Sequence, residues 1–561
     1  MYGKSSVHIQ NVMNEFNSLA ELRLVFWVCT ASIILFRNTN LILLLLRCEH
    51  KTSKLTHNYT RANHNNIMDL YPSLENILFP SLVLMALICI RWVSYRSNTK
   101  KNFPPSPRRF PIIGNLHILG SSPHRSLDAL SQKHGPLMLL HLGSVPTLVA
   151  SSSEAAQEIM KTHDSLLATR PNSTILNILL YGCKDIAFSP KGEYWRQLKS
   201  IVASQLLSSA QVKSFHNVRA EEIACMIRIL SERCDSSVDA SALFDSLAEN
   251  IMCRVAIGKT YDLKLTNIFK PYLTMFTRLS IGSYIPWLSW VDRVSGLLAK
   301  AEQVTKELDE FLEDVIDEHV NKRKEDDEGQ DFIDILLNVQ KDKTTGFTFE
   351  RDTIKAVIMD IFGGGIDNTS TNLEWVLSEL IRNPRVMKKL QNEITEIAQG
   401  RSMIVEEDLE KMPYLKAVVK ENLRLHPPVP LLLPRVATQD VKLMGYDIEL
   451  GTQVLVNVWK IGRDPRLWEE PNEFRPERFV VDSISYKGSH FEWLPFGAGR
   501  RVCPGILFSV IIIELAIANI VYKFNLALPN GVKDEDLDMS DMYGITVHRK
   551  FPLQVNATRR F

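Results

Sequence analysis

The chain has 561 residues, with 65 Lys and Arg against 64 Asp and Glu and a formal net charge of +1. That balance provides no global field to gather phosphates, so no nucleic-acid partner is expected. A hydrophobic share of 45% with 23% charged residues is globular composition and excludes a disordered or collagen-like chain.

From the N-terminus, an apolar stretch over residues 24–46 is broken by Arg37-Asn38-Thr39-Asn40 and followed by a polar segment ending near Asn66. Residues 1–67 read as an upstream extension, with a second membrane span as the alternative. Residues 68–93 read as a membrane anchor: 77–90 is almost wholly apolar, and Trp92 and Val93 carry it to the ~17 residues needed to span a bilayer. Asp69 and Glu75 precede it, whereas Arg91, Arg96, Lys100, Lys101, Arg108 and Arg109 follow, which places the downstream chain in the cytosol. Residues 94–109 form a basic, proline-rich hinge in which Pro104, Pro105 and Pro107 favour a stiff extended spacer.

Residues 110–561 contain no repeat, low-complexity tract or long Gly/Ser linker, so one large domain is expected. Apolar spacings of three and four predict helices over 153–163, 211–230, 299–320, 353–381, 384–398 and 414–425. Strand-like runs are fewer, at 136–142, 441–443 and 453–458, giving a mainly α fold with small β-sheets. Eight cysteines, Cys29, Cys48, Cys89, Cys183, Cys225, Cys234, Cys253 and Cys503, include no C-x-x-C pair, which argues against a disulfide framework or zinc site.

Cys503 stands in Phe496-Gly497-Ala498-Gly499-Arg500-Arg501-Val502-Cys503-Pro504-Gly505, ahead of an apolar segment over 506–524. Glycines at 497, 499 and 505 permit positive φ and close approach to a flat cofactor, and a helix starting just after the cysteine aims its positive end at a thiolate. Arg501 suits an anionic carboxylate at the cofactor's edge. Taken alone, an unpaired cysteine is more often a small buried hydrophobe. G-x-G-x-x-G fails at Val502, which discards a dinucleotide loop. Glu514 and Asn519 within 506–524 favour a protein-buried helix over a second span.

At these residues the chain resembles the cytochrome P450 family of haem-thiolate monooxygenases: Phe496, Gly499, Arg501, Cys503 and Gly505 meet F-x-x-G-x-R-x-C-x-G in full. Further motifs follow the family's order over 104–561. Glu421 and Arg424 match E-x-x-R, and Arg478 of Pro476-Glu477-Arg478-Phe479 completes the locking triad the resemblance implies. Trp195 matches W-x-x-x-R with Lys199 in place of arginine, and Arg435 resembles another propionate partner. Gly363, Gly364 and Gly365 precede Asp367, Asn368 and Thr369, where the family pattern A/G-G-x-D/E-T places its proton-relaying threonine at position 368. Three glycines in a helix cost on the order of 1 kcal/mol each, which close passage over a haem face explains. An asparagine amide cannot relay a proton as a hydroxyl does; Thr369 can substitute if the helix bulges.

The resemblance implies haem b held by Cys503, whose thiolate favours O–O cleavage, and insertion of one oxygen atom from O2 into a small lipophilic substrate. Ile175, Leu176, Ile366, Val429, Leu431, Leu432, Leu433, Ile545 and Val547 are candidate pocket residues, each equally readable as core. Aromatics in Ser283-Tyr284-Ile285-Pro286-Trp287-Leu288-Ser289-Trp290 stand at a point resembling the family's substrate-access region, where tryptophans can dip into headgroups, with core packing as the alternative reading. Electrons are expected from an NADPH-dependent diflavin reductase, with cytochrome b5 as a second candidate donor, at the endoplasmic reticulum membrane. Pro104-Pro105-Ser106-Pro107, the 331–337 segment and the 474–479 segment resemble the plant microsomal A-type (71-clan) group, which points to terpenoid, alkaloid or phenolic metabolism. A reductase-independent isomerase or dehydratase and a non-catalytic haem-binding protein stay open as alternatives.

Overall fold

The computed structural model describes residues 101–561 apart from 235, 262, 323–329, 343–348, 482–483, 545 and 561, together with Val83. The chain divides into residues 1–100 and a body of residues 101–561. The expected extension (1–67), the anchor (68–93, save Val83) and the start of the hinge therefore lie outside the described residues. The rest of the hinge is bonded along the body. Lys101 pairs with Glu449 (2.9 Å), the Leu139 N–H donates to the Pro105 carbonyl (2.9 Å), and Asn115 Nδ2 donates to the Arg108 carbonyl (2.9 Å). A proline-rich strand cannot donate, but its carbonyls still accept.

The body is mainly helical with small sheets, as the patterning leads one to expect. α1 (Pro123–His134) begins with proline at its first position, where a missing N–H costs nothing. β1 (Leu137–Leu142) and β2 (Val145–Ala150) form an antiparallel hairpin closed at Gly143, whose φ is 60°. α2 (Glu193–Ile201) carries Trp195 and Lys199. α3 (Ala240–Ile257) starts where the Asp239 carboxylate accepts from the Ala242 N–H (2.9 Å) and stops at Gly258, which takes the left-handed conformation.

The helix expected over 353–381 is interrupted. α4 (Arg351–Phe362) runs into a π-helical turn over Gly363–Asp367, and α5 (Asn368–Arg382) resumes beyond it. Three side-chain-free residues give the backbone the latitude for the wider turn, a feature frequent at functional sites. α5 is buried from Thr369 to Ile381 without a break and packs on α3, on α6 (Pro413–Leu425) and on α7 (Ile506–Lys523). Buried polar residues along it find partners, as where His426 Nε2 lies 2.7 Å from Glu379 Oε1, with Asn368 Oδ1 at its start the exception.

β3 (Arg435–Val436) and β4 (Gln453–Val456) complete a sheet of order β1-β2-β4-β3, with β4 parallel to β2 and β3 antiparallel to β4. α7 is the described helix long and apolar enough to cross a membrane, and 72% of it is buried in the body. Its Asn519 exchanges side-chain hydrogen bonds with the Ile404 backbone (2.9 and 3.1 Å), which makes it a core helix. A last hairpin, β5 (Asp541–Tyr543) and β6 (Val547–Arg549), is fastened to α5 by Trp375 Nε1 donating to the Val547 carbonyl (2.9 Å).

Candidate active site

A cavity of about 350 Å³ opens between α4, α5, the loop before α7 and the 428–435 segment. Cys503 lines it. Its backbone N–H donates to the Phe496 carbonyl (3.1 Å), and Gly505 caps α7, so the helix N-terminus lies beside the sulfur. Burial raises the Cys503 thiol, and the Gly505 N–H opposes that shift. Two glycines of the loop do take positive φ, Gly497 (68°) and Gly499 (69°). At Gly499 an added Cβ would also collide with the Met160 carbonyl and lie 2.7 Å from Asp164 Oδ1. Gly505 corrects the expectation: its φ is −89°, and its Cβ position lies 3.9 Å from Cys503 Sγ, so nearness to the sulfur is its use.

The opposite wall is the π turn. Gly364 faces open space where a Cβ would stand. Gly365 has a different cause, since a Cβ there would collide with Met252 Sδ of α3. The glycine run thus serves both the cavity and helix packing. Asn368 lines the cavity; its Nδ2 donates to the Gly364 carbonyl (3.0 Å), and its buried Oδ1 has no protein partner. Thr369 also lines the cavity, with its hydroxyl 3.2 Å from Ser509 Oγ. Asp367 is not among the lining residues. Its carboxylate accepts from the Thr546 hydroxyl (2.6 Å) and pairs with His548 Nε2 (3.2 Å).

Cations gather at one end. Arg170, Lys199, Arg435 and Arg501 line the cavity, and burial with mutual repulsion pushes Arg501 down to about 10 and lowers Arg170 and Lys199. Arg435 Nη1 donates to Asp164 (2.9 Å). Arg501 lies 4.0 Å over the Trp195 ring and donates to the Ala168 (2.8 Å) and Ile186 (2.9 Å) carbonyls. Trp195 Nε1 donates to the Ile186 carbonyl (3.1 Å), so its indole N–H is spent on the backbone while its ring supports Arg501. Lys199 Nζ donates to the Arg500 carbonyl.

Nearby acids do not offset this charge in full. Burial raises Asp185 to about 6 and Asp360 well above the carboxylate range, with the Asp185 charge adding to the Asp360 shift. A surplus of positive charge beside a half-buried thiol, a bare glycine face and an orphaned amide oxygen suits a flat dianion carrying a thiolate-seeking metal. Sequence motifs did not single out Arg170, Asp185, Asp360 or Thr546, which reach the site from separate segments. Of the nine apolar pocket candidates, Val429, Leu432 and Leu433 line the cavity, with Phe188, Tyr272 and Phe276 from elsewhere. Ile175 and Leu431 belong to the core, and Ile545 lies outside the described residues.

Behind the cavity, Arg424 donates twice to the Glu421 carboxylate (2.7 Å each), and Arg478 Nε donates to the same group (3.0 Å). Arg424 Nη1 also reaches the Gly462 and Pro471 carbonyls (2.6 Å each), locking that loop to α6. Removing Glu421 would leave Arg424 buried and uncompensated, a loss of roughly 3–5 kcal/mol.

The sequence model of the family Cytochrome P450 matches residues 104–554. The chain belongs to the cytochrome P450 family. Its P450 relatives include "Cytochrome P450 Tp4149" of Tanacetum parthenium, 68% identical, with 87% of this chain and 99% of the relative covered. A "3-beta-hydroxylase" of the same plant is 52% identical over 88% of this chain and 100% of its own length. A solved zebra fish cytochrome P450 with abiraterone superposes with a TM-score of 0.68 at 27% identity, covering 79% of this chain and 100% of that one. The P450 is accordingly a monooxygenase that binds haem, and the thiol, cations and glycine face described above fit that group.

Proposed function

We propose that this P450 inserts one oxygen atom from O2 into a small lipophilic plant specialised metabolite, with Cys503 as the residue that would hold its haem. The observation that carries the reading is the convergence of the half-buried Cys503 thiol, the Gly364 face and Arg170, Lys199, Arg435 and Arg501 on one cavity. When bound, the haem supplies dioxygen activation. The chain's residues do the rest. Cys503 ionises to hold the metal, the arginines and Lys199 neutralise the carboxylates, and Phe188, Tyr272, Phe276, Val429, Leu432 and Leu433 exclude water and orient an apolar substrate. Asn368, through its free Oδ1, holds a water or a substrate hydroxyl near the glycine face.

Terpenoids, alkaloids and phenolics are the substrate classes favoured. Electrons come from an NADPH-dependent diflavin reductase, with cytochrome b5 as a second donor. The body lies against the endoplasmic reticulum membrane on the cytosolic side. Support for lipid contact comes from Leu279, Trp287, Trp290 and Val294, all exposed, and from exposed Ile112 on a segment bonded to the same β1–β2 turn. We read residues 1–67 as an extension ahead of the 68–93 anchor.

The test is the carbon-monoxide difference spectrum of the reduced protein, followed by turnover with reductase on a lipophilic metabolite panel. The parent gives the thiolate-type Soret band and NADPH-dependent product. Cys503→Ala loses the band; its persistence would overturn the assignment.

A further inference from the structure

Position 368 lacks the hydroxyl that the family's relay motif carries, yet a hydroxyl does reach the cavity from outside the α4–α5 segment. Thr546, at the turn between β5 and β6, lines the cavity and donates to Asp367 Oδ2 (2.6 Å). Its oxygen lies 2.6 Å from His548 Nε2, which is also 3.2 Å from Asp367 Oδ1. The other ring nitrogen, Nδ1, lies 2.8 Å from the Thr371 hydroxyl. With His548 as the imidazolium, both ring N–H groups have acceptors: Nε2–H is shared by Thr546 and Asp367, and Nδ1–H goes to Thr371.

We propose that Thr546 is the hydroxyl that hands a solvent proton into the cavity, with His548 as its proton source and Asp367 as the group that holds both. The inference rests on the haem-thiolate reading above. In one transfer, the Thr546 hydroxyl turns from Asp367 and gives its proton to an acceptor in the cavity while taking the Nε2 proton of His548. The neutral imidazole then regains a proton from water. The net change is one proton moved inward, with no change in electrons.

Three features favour this route over Thr369. The Thr369 hydroxyl is paired with Ser509, another hydroxyl on the core helix α7, and no titratable group is attached to that pair. His548 does not line the cavity, and its side chain is 32% exposed, which gives it access to water. The charges facing His548 also favour the imidazolium. Burial opposes it, but the Asp367 hydrogen bond and charge, with Glu374 of α5 and Asp245 of α3, raise the imidazole above its ordinary value. Arg549, next on β6, sits 3.8 Å from the Glu374 carboxylate and so tempers that contribution. Asp367 is thereby a positioning residue whose carboxylate is occupied, and Thr546 is the catalytic one.

Two readouts test the relay on the full-length holoenzyme. The first is diethyl pyrocarbonate modification of His548 against pH, read by mass spectrometry. Its midpoint lies above the ordinary imidazole value of about 6.5 and falls in Asp367→Asn. The same midpoint in both proteins would overturn the proposal. The second is hydrogen peroxide released per NADPH with reductase and O2 alone. Thr546→Val and His548→Gln raise the ratio about threefold or more, and Thr546→Ser restores the parent value. A flat ratio, or a rise confined to Thr369→Val, would overturn it. The carbon-monoxide band is recorded for every protein: its absence from the parent would sink the haem-thiolate reading itself, whereas its presence with flat ratios sinks only the relay. The modification arm needs no Thr546 variant and decides the matter even if Thr546→Val does not assemble.

Discussion

Gly364 and Gly365 are adjacent, both line the cavity, and would respond in opposite ways to a single methyl group. At Gly365 the methyl meets Met252 Sδ, with Met252 Cγ 3.1 Å away, so the Met252 side chain must leave its place against the π turn. Gly365→Ala is expected to lose roughly 1–3 kcal/mol in denaturant unfolding. At Gly364 nothing lies within 4 Å, so stability stays within about 1 kcal/mol. The new methyl instead takes space from the cavity, and Gly364→Ala should weaken a bulky azole probe roughly tenfold, about 1.4 kcal/mol, with binding of plain imidazole unchanged. Titration of the Soret shift with both probes checks the split.

Among the elements, α7 combines a composition fit for a membrane with a place in the core, and Glu514 shows the cost. The residue is 3% exposed, and burial raises its carboxyl to about 7, with Lys416 and Lys420 pulling in the opposite direction. A carboxyl whose folded value exceeds its unfolded value of about 4.3 binds its proton more tightly in the native state. Its contribution is therefore full below the unfolded value and is lost as pH rises through about 7. Between pH 5 and 8 the parent should lose up to about 3 kcal/mol that Glu514→Gln keeps. Chemical denaturation of both proteins at the two pH values measures it.

For the whole molecule, some of the exposed apolar residues among those described gather at one turn. The Ile113 carbonyl accepts from the Gly143 N–H (3.1 Å) and the Tyr284 carbonyl from the Ser144 N–H (2.8 Å), so the segments bearing Ile112 and Trp287 meet at the β1–β2 turn. Trp287 and Trp290 are 62% and 59% exposed. Amphipathic rings in such a cluster suit a headgroup layer. Vesicles of brominated lipid should quench the protein's tryptophan emission, and the doubly substituted Trp287→Phe, Trp290→Phe protein should keep only the share due to Trp92 of the expected anchor. Equal quenching in both would assign lipid contact to another surface.

Motifs of short span were legible in the chain itself. The 496–505 loop, the Glu421/Arg424 spacing and the 384–398 helix depend on neighbours three to nine residues away, and local spacing constrains their geometry. Residues joined across the chain were not. Arg170 and Arg501 meet at the cavity's cationic end, the Ile186 N–H donates to the Asp360 carboxylate, and Thr546 reaches Asp367, pairings over separations of more than 170 residues. No periodicity encodes such contacts, because burial, charge compensation and helix packing act on distance in space. Sequence alone determined the haem-thiolate motif and the helical class. Tertiary structure decided which glycine faces the cavity, which helix is core, and which hydroxyl stands where Asn368 has none.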